Sequence, residues 1–199
     1  MKKRALMLML LCSLPVMADG NVEAGKTKAV VCAACHGQQG ISMNPEWPNL
    51  AGQHAGYLAK QLQAIKEGKS RVSPTMAGIV AGLTEQDMLD LAAYFSSLPR
   101  AEGETPEKFL MKGERLYRGG DLDRNVSACI ACHGPQGTGN AQANFPVLSG
   151  QHAPYTIKQL QEFKAGTRSN DLNEIMRDIA ARMSPEEMEA VANYVQGLH

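Results

Sequence analysis

Cys32-Ala33-Ala34-Cys35-His36 is the stretch from which this chain is best understood, and it recurs as Cys129-Ile130-Ala131-Cys132-His133. A Cys-x-x-Cys-His pentapeptide is the attachment signal for c-type haem, because its two thiols add to the porphyrin vinyl groups and its imidazole takes one axial position on the iron. On a helix these three side chains stand at i, i+3 and i+4, so they share one face. Two such motifs predict two haem groups.

Other uses of paired cysteines fit this sequence less well. A four-cysteine zinc site brings its pairs together over about 15–20 residues, whereas these pairs begin 97 residues apart. A thioredoxin-type pair needs a strand–helix unit, and no stretch shows the strict alternation of a strand. A structural disulfide gives no reason for a histidine after each pair. We therefore interpret both motifs as haem attachment sites.

The first residues predict export. Lys2, Lys3 and Arg4 precede an apolar run over 5–14, and the small residue Ala18 precedes a polar segment. This order is typical of a secretory signal, so we expect a signal peptide at 1–18 and a periplasmic protein after cleavage. The apolar run is shorter than the ~20 residues of a transmembrane helix.

The charge balance excludes one class of partner. The chain has 20 basic and 20 acidic side chains, and removal of residues 1–18 leaves 17 against 20. The acidic excess lies in residues 101–199, which carry ten basic and thirteen acidic side chains. A nucleic-acid-binding surface needs a basic excess, so we expect no nucleic-acid partner.

The two halves of the chain resemble each other well beyond the pentapeptides. Residues 47–54 are matched by 145–152, and residues 60–63 by 158–161. Duplication at this scale indicates two copies of one domain. We place the first domain at 19–98, a polar, proline-punctuated linker at 99–108 and the second domain at 109–199.

The spacing of apolar residues within each copy is helical. In the first copy apolar side chains follow His54 at intervals of four and three, and Gly68 is expected to end that helix. The hydroxyls of Thr84 and Ser184, each with an acidic residue three positions on, predict the N-caps of a last helix in each copy. The sequence therefore predicts an all-α protein.

A haem iron with one histidine needs a second axial ligand, and the duplication favours two methionines. Met76 lies seven residues before Leu83, and Met176 lies seven before Met183, so both stand at matching positions in a loop region before the last helix. A thioether ligand favours the ferrous state and closes the iron to small substrates. The alternative is that both methionines fill gaps in the core, the commoner role of this residue.

Other side chains could be considered as axial ligands. His54 and His152 also occupy matching positions, but each stands at the start of a predicted helix, where a polar residue is ordinary. Met88 and Met188 belong to apolar helical stripes and are expected in the core. Met43 has no counterpart in the second copy.

Several aromatic and basic residues bear on the surroundings of the haems. Trp47 and Phe145 are expected to be core aromatics beside a haem rather than electron relays. Four basic side chains could pair with haem propionates, although a solvated charged face is the interpretation we favour; they are Lys66, Lys69, Arg71 and Arg168.

Taken together, these motifs resemble a known family. Cys-x-x-Cys-His near the start, Pro-x-Leu-x-Gly in the middle and a methionine before a C-terminal helix resemble the class I cytochrome c fold. Two tandem copies, each with Gly-Gln-His-x-x-Tyr-x-x-Lys-Gln-Leu, closely resemble the dihaem cytochrome c4 family. The match covers almost all of the chain after the predicted signal.

The resemblance implies two covalently bound haem c groups and assigns their ligands. Thioether links are implied at Cys32, Cys35, Cys129 and Cys132, and axial ligation by His36 with Met76 and by His133 with Met176. It also implies that the carbonyls of Pro48 and Pro146 accept a hydrogen bond from the proximal imidazoles.

The first copy departs from the pattern at one position. Tyr117 follows Gly113 by four residues in the second copy, whereas Ala29 follows Gly25 in the first. Packing of the first helix on the last is therefore less firmly predicted for the first domain.

The expected function is single-electron transfer by a monomeric, non-enzymatic carrier between a quinol-cytochrome c reductase and a terminal oxidase or reductase. Peripheral association with the membrane is left open. One alternative is the haem subunit of a larger dehydrogenase, such as flavocytochrome c sulfide dehydrogenase. A dihaem peroxidase is the other, but it needs an open iron position that two methionines would close.

Overall fold

The computed structural model describes residues 20–199, so the predicted signal peptide and its cleavage site after Ala18 lie outside the described residues. Ten α-helices form this part of the chain: α1 Val22–Lys28, α2 Ala33–His36, α3 Ala55–Glu67, α4 Pro74–Val80, α5 Glu85–Ser97, α6 Glu107–Gly119, α7 Ile130–His133, α8 Ala153–Lys164, α9 Ile175–Arg182 and α10 Pro185–Gln196. Between residues 20 and 199 there are isolated bridges but no strands, which confirms the all-α prediction. No helix in that range has the length and hydropathy to cross a membrane.

The helix boundaries follow the predicted start and stop signals. Asp87 donates its backbone N–H to Thr84 Oγ1 over 3.1 Å and its carboxylate accepts the N–H of Thr84, which forms a capping box at the start of α5. Ser184 and Glu187 form the same box at α10. Gly68 ends α3 in the left-handed conformation with φ 65°.

In both copies the first helix crosses the last at a glycine. A Cβ built at Gly113 of α6 would lie 2.5 Å from Cβ of Tyr194 on α10, and one built at Gly25 of α1 would lie 2.8 Å from Cβ of Tyr94 on α5. The first helix of the first domain therefore packs on its last helix as in the second domain, although the sequence predicted this packing less firmly. Absence of a side chain at the crossing, rather than the aromatic ring four residues later, permits the close approach.

Each copy encloses its own hydrophobic core. In the first, Leu58 of α3 and Leu91 and Phe95 of α5 are among the buried residues, together with Ala29 from a 3-10 helix before α2. The second core is larger and includes Tyr117, where the first has Ala29. Met88 and Met188 are buried, which confirms their predicted core positions.

The connection between the copies is packed rather than free. Within the stretch predicted as linker, Thr105 donates its hydroxyl to the carbonyl of Tyr194 over 3.1 Å. Gly103 approaches Gln196 closely enough that a Cβ there would lie 2.5 Å from its carbonyl oxygen. The helix α6 begins at Glu107, so the last two residues of the predicted linker are helical.

Two buried glutamines join the copies through their backbones. The amide of Gln53 donates to the carbonyl of Val147 and accepts the N–H of Val147, both over 2.9 Å. Gln151 makes the equivalent pair of 2.9 Å bonds with Asn49. We call these four bonds the amide clamp. Because they mimic a β-ladder around an approximate two-fold axis, they fix the two haem motifs relative to each other.

Candidate haem-binding sites

Each Cys-x-x-Cys-His motif forms a single helical turn. Cys32 has helical backbone angles and precedes α2, and the N–H of His36 donates to its carbonyl over 2.9 Å. Cys129 and His133 are arranged in the same way at α7. The two thiols and the imidazole of each motif therefore lie on one face, as predicted. Between residues 20 and 199 none of these four cysteines forms a disulfide, and all four are half-buried.

The proximal imidazoles are oriented by the predicted prolines. Nδ1 of His36 lies 2.9 Å from the carbonyl oxygen of Pro48, and Nδ1 of His133 lies 2.9 Å from that of Pro146. A carbonyl only accepts, so Nδ1 carries the hydrogen and Nε2 keeps its lone pair. Burial lowers the pKa of both imidazoles, although these hydrogen bonds raise it in part. Neutral imidazole is the form that ligates iron.

A continuous cavity of about 930 Å³ runs between the two copies. All eight side chains predicted to attach or ligate haem line it: Cys32, Cys35, His36, Met76, Cys129, Cys132, His133 and Met176. Most of the remaining wall is apolar, with Leu58 and Ile65 on one side and Leu160 and Phe163 on the other. Thiols, neutral imidazoles and thioethers around an apolar space fit two c-type haems.

The methionines differ from expectation in their local structure. Met76 and Met176 were predicted in a loop region, but both lie in the first turn of a short helix, α4 or α9. The prediction of a loop was wrong because a helix of two turns is too short to show a clear apolar period. Before α9, Asn173 and Glu174 have φ of 51° and 61°.

An ion pair joins helix α9, which carries Met176, to the segment before it. The guanidinium of Arg177 donates to Asp171 over 2.8 Å, and its backbone N–H donates to the other carboxylate oxygen over 3.0 Å. Burial raises the pKa of Asp171, but the hydrogen bonds from Arg177 outweigh burial and hold this pKa below its usual value. The first copy has no such pair around Met76, where Pro74 starts the helix instead.

The alternative axial ligands are engaged elsewhere. Nε2 of His54 lies 2.9 Å from the carbonyl of Thr138, and Nε2 of His152 lies 3.0 Å from that of Ser42, each in the other copy. Neither imidazole lines the cavity. Met43 is 97% exposed. These contacts favour the methionines at matching positions as the distal ligands.

The surroundings of the cavity confirm one expectation and correct another. Trp47 and Phe145 line it and are half-buried, as expected of aromatics beside a haem. The expected solvated face is wrong for Arg71 and Arg168, which line the cavity, and Arg168 is only 5% exposed. The sequence carried no clear signal for this, since the register of the neighbouring motifs places Arg71 opposite Ser169 and charged residues usually lie on the surface.

Known proteins match most of the chain. The sequence profile of the cytochrome c family matches twice, at residues 22–99 and 110–199. Cytochrome c4 of Stutzerimonas stutzeri is 47% identical over 92% of this chain and 91% of its own. The crystal structure of reduced recombinant cytochrome c4 from Pseudomonas stutzeri superposes with a TM-score of 0.88, at 47% identity, over 90% of this chain and 100% of that chain.

A further relative has a name that specifies a redox partner. A thiosulfate dehydrogenase electron acceptor of Stutzerimonas stutzeri is 40% identical over 83% of this chain and 78% of its own. Both family matches begin before a Cys-x-x-Cys-His turn and end after a capped last helix, so each repeat is one complete domain. The chain therefore belongs to the cytochrome c family, among the dihaem cytochromes c4, and carries two covalently bound haem c groups.

Proposed function

We propose that this chain is a periplasmic carrier that passes single electrons from a quinol-oxidising complex to a terminal oxidase or reductase. The observation that supports the proposal is that one histidine and one methionine from each copy line the same cavity. A haem iron with a protein ligand at both axial positions exchanges electrons but leaves no coordination position for a small substrate. A dihaem peroxidase would need such a position, so we do not favour it.

We further propose the ligands of each iron: His36 with Met76 in the first copy, and His133 with Met176 in the second. The bound haem supplies reversible exchange between the ferric and ferrous states. The chain holds each imidazole in one tautomer through the proline carbonyl and keeps water out with apolar walls. Soft thioether sulfur and a low-polarity pocket favour the ferrous state and therefore a high potential.

A second candidate function follows from one relative. The name of the Stutzerimonas stutzeri relative describes an electron acceptor of thiosulfate dehydrogenase. This chain could take electrons from such an enzyme with the same two iron sites, since a carrier's partner is selected by its surface and not by its ligands. The two roles differ only in the donor.

Two kinetic assays separate these roles. Oxidised holoprotein is mixed with a quinol and membranes that contain a quinol-oxidising complex, and its reduction is followed optically. In the second assay, oxidised holoprotein is mixed with thiosulfate and a thiosulfate dehydrogenase, and its reduction is followed in the same way. The proposal predicts rapid reduction by the quinol-supplied membranes. Failure of these membranes to reduce the protein, with rapid reduction by the dehydrogenase, would favour the second candidate.

A further inference from the structure

The proximal histidines and the amide clamp bind the same two peptide groups. In the first copy, the carbonyl of Pro48 accepts the hydrogen bond from Nδ1 of His36. The same planar peptide unit contains the N–H of Asn49, which donates to Oε1 of Gln151 over 2.9 Å. One peptide group therefore contacts a proposed haem ligand through its C=O and the opposite copy through its N–H.

The second copy repeats this arrangement. The carbonyl of Pro146 accepts from Nδ1 of His133. The N–H of the same peptide belongs to Val147 and donates to Oε1 of Gln53 over 2.9 Å. We call these two peptide groups, which follow the prolines of the two copies, the shared peptides. In both cases the glutamine comes from the other domain.

The shared peptides are shielded from water. Asn49, Val147 and both glutamines of the amide clamp are buried, and so are the two proximal imidazoles. A donor that loses its partner in such a place is not rescued by bulk solvent. The glutamine oxygens are therefore the acceptors on which the N–H groups of the shared peptides depend.

Each glutamine amide has one defined orientation. Oε1 of Gln53 also accepts the N–H of His54 over 3.0 Å, and Oε1 of Gln151 accepts the N–H of His152 over 3.1 Å. The two NH2 groups donate to backbone carbonyls of the opposite copy. A flipped amide would direct its NH2 group at two N–H donors, so the oxygen is the atom that faces the shared peptide.

The effect of the glutamines on the irons follows from the way in which hydrogen bonds polarise one another. An N–H that donates draws electron density towards the carbonyl oxygen of its own peptide, because the C–N bond is conjugated. That oxygen becomes a stronger acceptor for Nδ1–H, and the imidazole becomes a better electron donor at Nε2. Since electron donation stabilises ferric iron, an intact shared peptide lowers the reduction potential.

We propose that Gln151 is a positioning residue for the haem of the first copy and Gln53 for the haem of the second. Each glutamine sets the reduction potential of the haem in the opposite domain, through the shared peptide and the proximal histidine. This inference rests on the proposed ligation of the irons by His36 and His133. Docking of the two domains then determines their potentials as well as their relative position.

The first copy offers the cleaner test, because its shared peptide has supports that do not depend on Gln151. The side chain of Asn49 donates to the carbonyl of Gly150 and accepts the N–H of Ser42, both over 2.9 Å. Gln151→Met should therefore remove the acceptor while the carbonyl of Pro48 stays in place. The second copy has the apolar Val147 at this position.

The test is proton NMR of the reduced holoprotein, combined with a redox titration followed through the same signals. In Gln151→Met we expect the Nδ1–H signal of His36 to move upfield and the potential of the first haem to rise, while the His133 signal stays in place. Gln53→Met should give the reciprocal pattern. His54→Phe removes a bond between the copies but none to a shared peptide, so both signals should stay in place.

A conservative variant distinguishes the acceptor from packing. Gln151→Glu keeps an oxygen at the same place, so the His36 signal should stay at its wild-type position or move downfield. Raising the pH until this carboxyl ionises should move the His36 signal further downfield, and more than the His133 signal. This titration decides the question if the methionine variants do not fold, and equal movement of the two signals would then overturn the proposal.

Two other results would overturn the proposal. One is a response confined to the histidine in the same copy as the substituted glutamine. The other is a response to Gln151→Met no larger than that to His54→Phe. Nδ1–H signals without the ring-current shift of a haem-bound imidazole would instead contradict the proposed ligation by His36 and His133.

Discussion

A single hydroxyl distinguishes the two copies at the scale of the residue. Tyr117 is fully buried, and its hydroxyl donates to the carbonyl of Gly134, directly after the proximal His133, over 2.6 Å. Burial raises the pKa of Tyr117, so the hydroxyl stays protonated and remains a donor. The first copy has Ala29 at this position and anchors the chain after its haem motif without such a bond.

We expect Tyr117→Phe to lower the free energy of unfolding of the protein by about 1–2 kcal/mol, because the carbonyl of Gly134 loses its donor. Chemical denaturation of the holoprotein, followed by circular dichroism, measures the change. Tyr94→Phe is the matched control, since the hydroxyl of Tyr94 makes no hydrogen bond with residues 20–199. Equal effects of the two substitutions would contradict the role of this hydroxyl.

A carboxylate anchors the start of the first domain and gives it a pH dependence. Asp90 accepts the N–H of Asn21 over 2.8 Å and hydrogen bonds from Lys28 and Gln86, and these bonds lower its pKa to about 2. Its stabilising effect is therefore complete above the unfolded value of 3.8 and is lost as the pH falls towards 2. Denaturation midpoints of Asp90→Asn should vary less than wild type over this range, whereas Glu23→Gln, at an exposed carboxylate, should follow wild type.

At the scale of the element, long helices were predictable and short ones were not. The apolar spacing and the capping residues Thr84 and Ser184 predict α3, α5 and α10, because such helices repeat their pattern over several turns. The helices that carry Met76 and Met176 have seven and eight residues, which is too few for a clear period. Asn173 and Glu174, just before α9, both have positive φ. Neither is a glycine, so the sequence does not indicate this backbone conformation.

Two substitutions in α6 test the close crossing of α6 and α10 in the second domain. We expect Gly113→Ala to destabilise the domain by about 1–3 kcal/mol, because the added methyl would overlap Tyr194 and the carbonyl of Ala190. Gly119→Ala, at the end of the same helix with nothing within 4 Å of the added carbon, should be neutral or stabilising. Thermal unfolding of the two variants would contradict this account if they behaved alike.

At the scale of the whole molecule, the duplication predicted two domains but not how they meet. Sequence patterns report which side chains are buried within a helix, and they carry no information on the surface that faces another domain. The amide clamp and the contacts of Arg71 with Tyr155 and of Arg168 with Tyr57 depend on glutamine and arginine, residues that ordinarily lie at the surface. The matching positions of Gln53 and Gln151 were visible in the sequence, and so were those of Tyr57 and Tyr155. Only the fold showed which residues of the other copy they contact.

The amide clamp should make the domains unfold together. In the double variant Gln53→Ala with Gln151→Ala, buried backbone groups of Asn49 and Val147 lose their partners, at a cost of at least about 2 kcal/mol. Calorimetry should show one transition in the wild type and two in the variant. Gln63→Ala, which removes an exposed bond within α3, is the control and should keep one transition. A single transition in the double variant would show that other contacts couple the domains.

The central claim is that both irons are closed by methionine, and the oxidised optical spectrum tests it most directly. The sulfur-to-iron charge-transfer band of the holoprotein is recorded for wild type, Met76→Ala, Met176→Ala and the exposed control Met43→Ala. The account predicts that each of the first two variants loses about half of the band, because one of two thioether ligands is removed. The control should retain the whole band. A band that is absent from the wild type, or unchanged in both ligand variants, would contradict the claim.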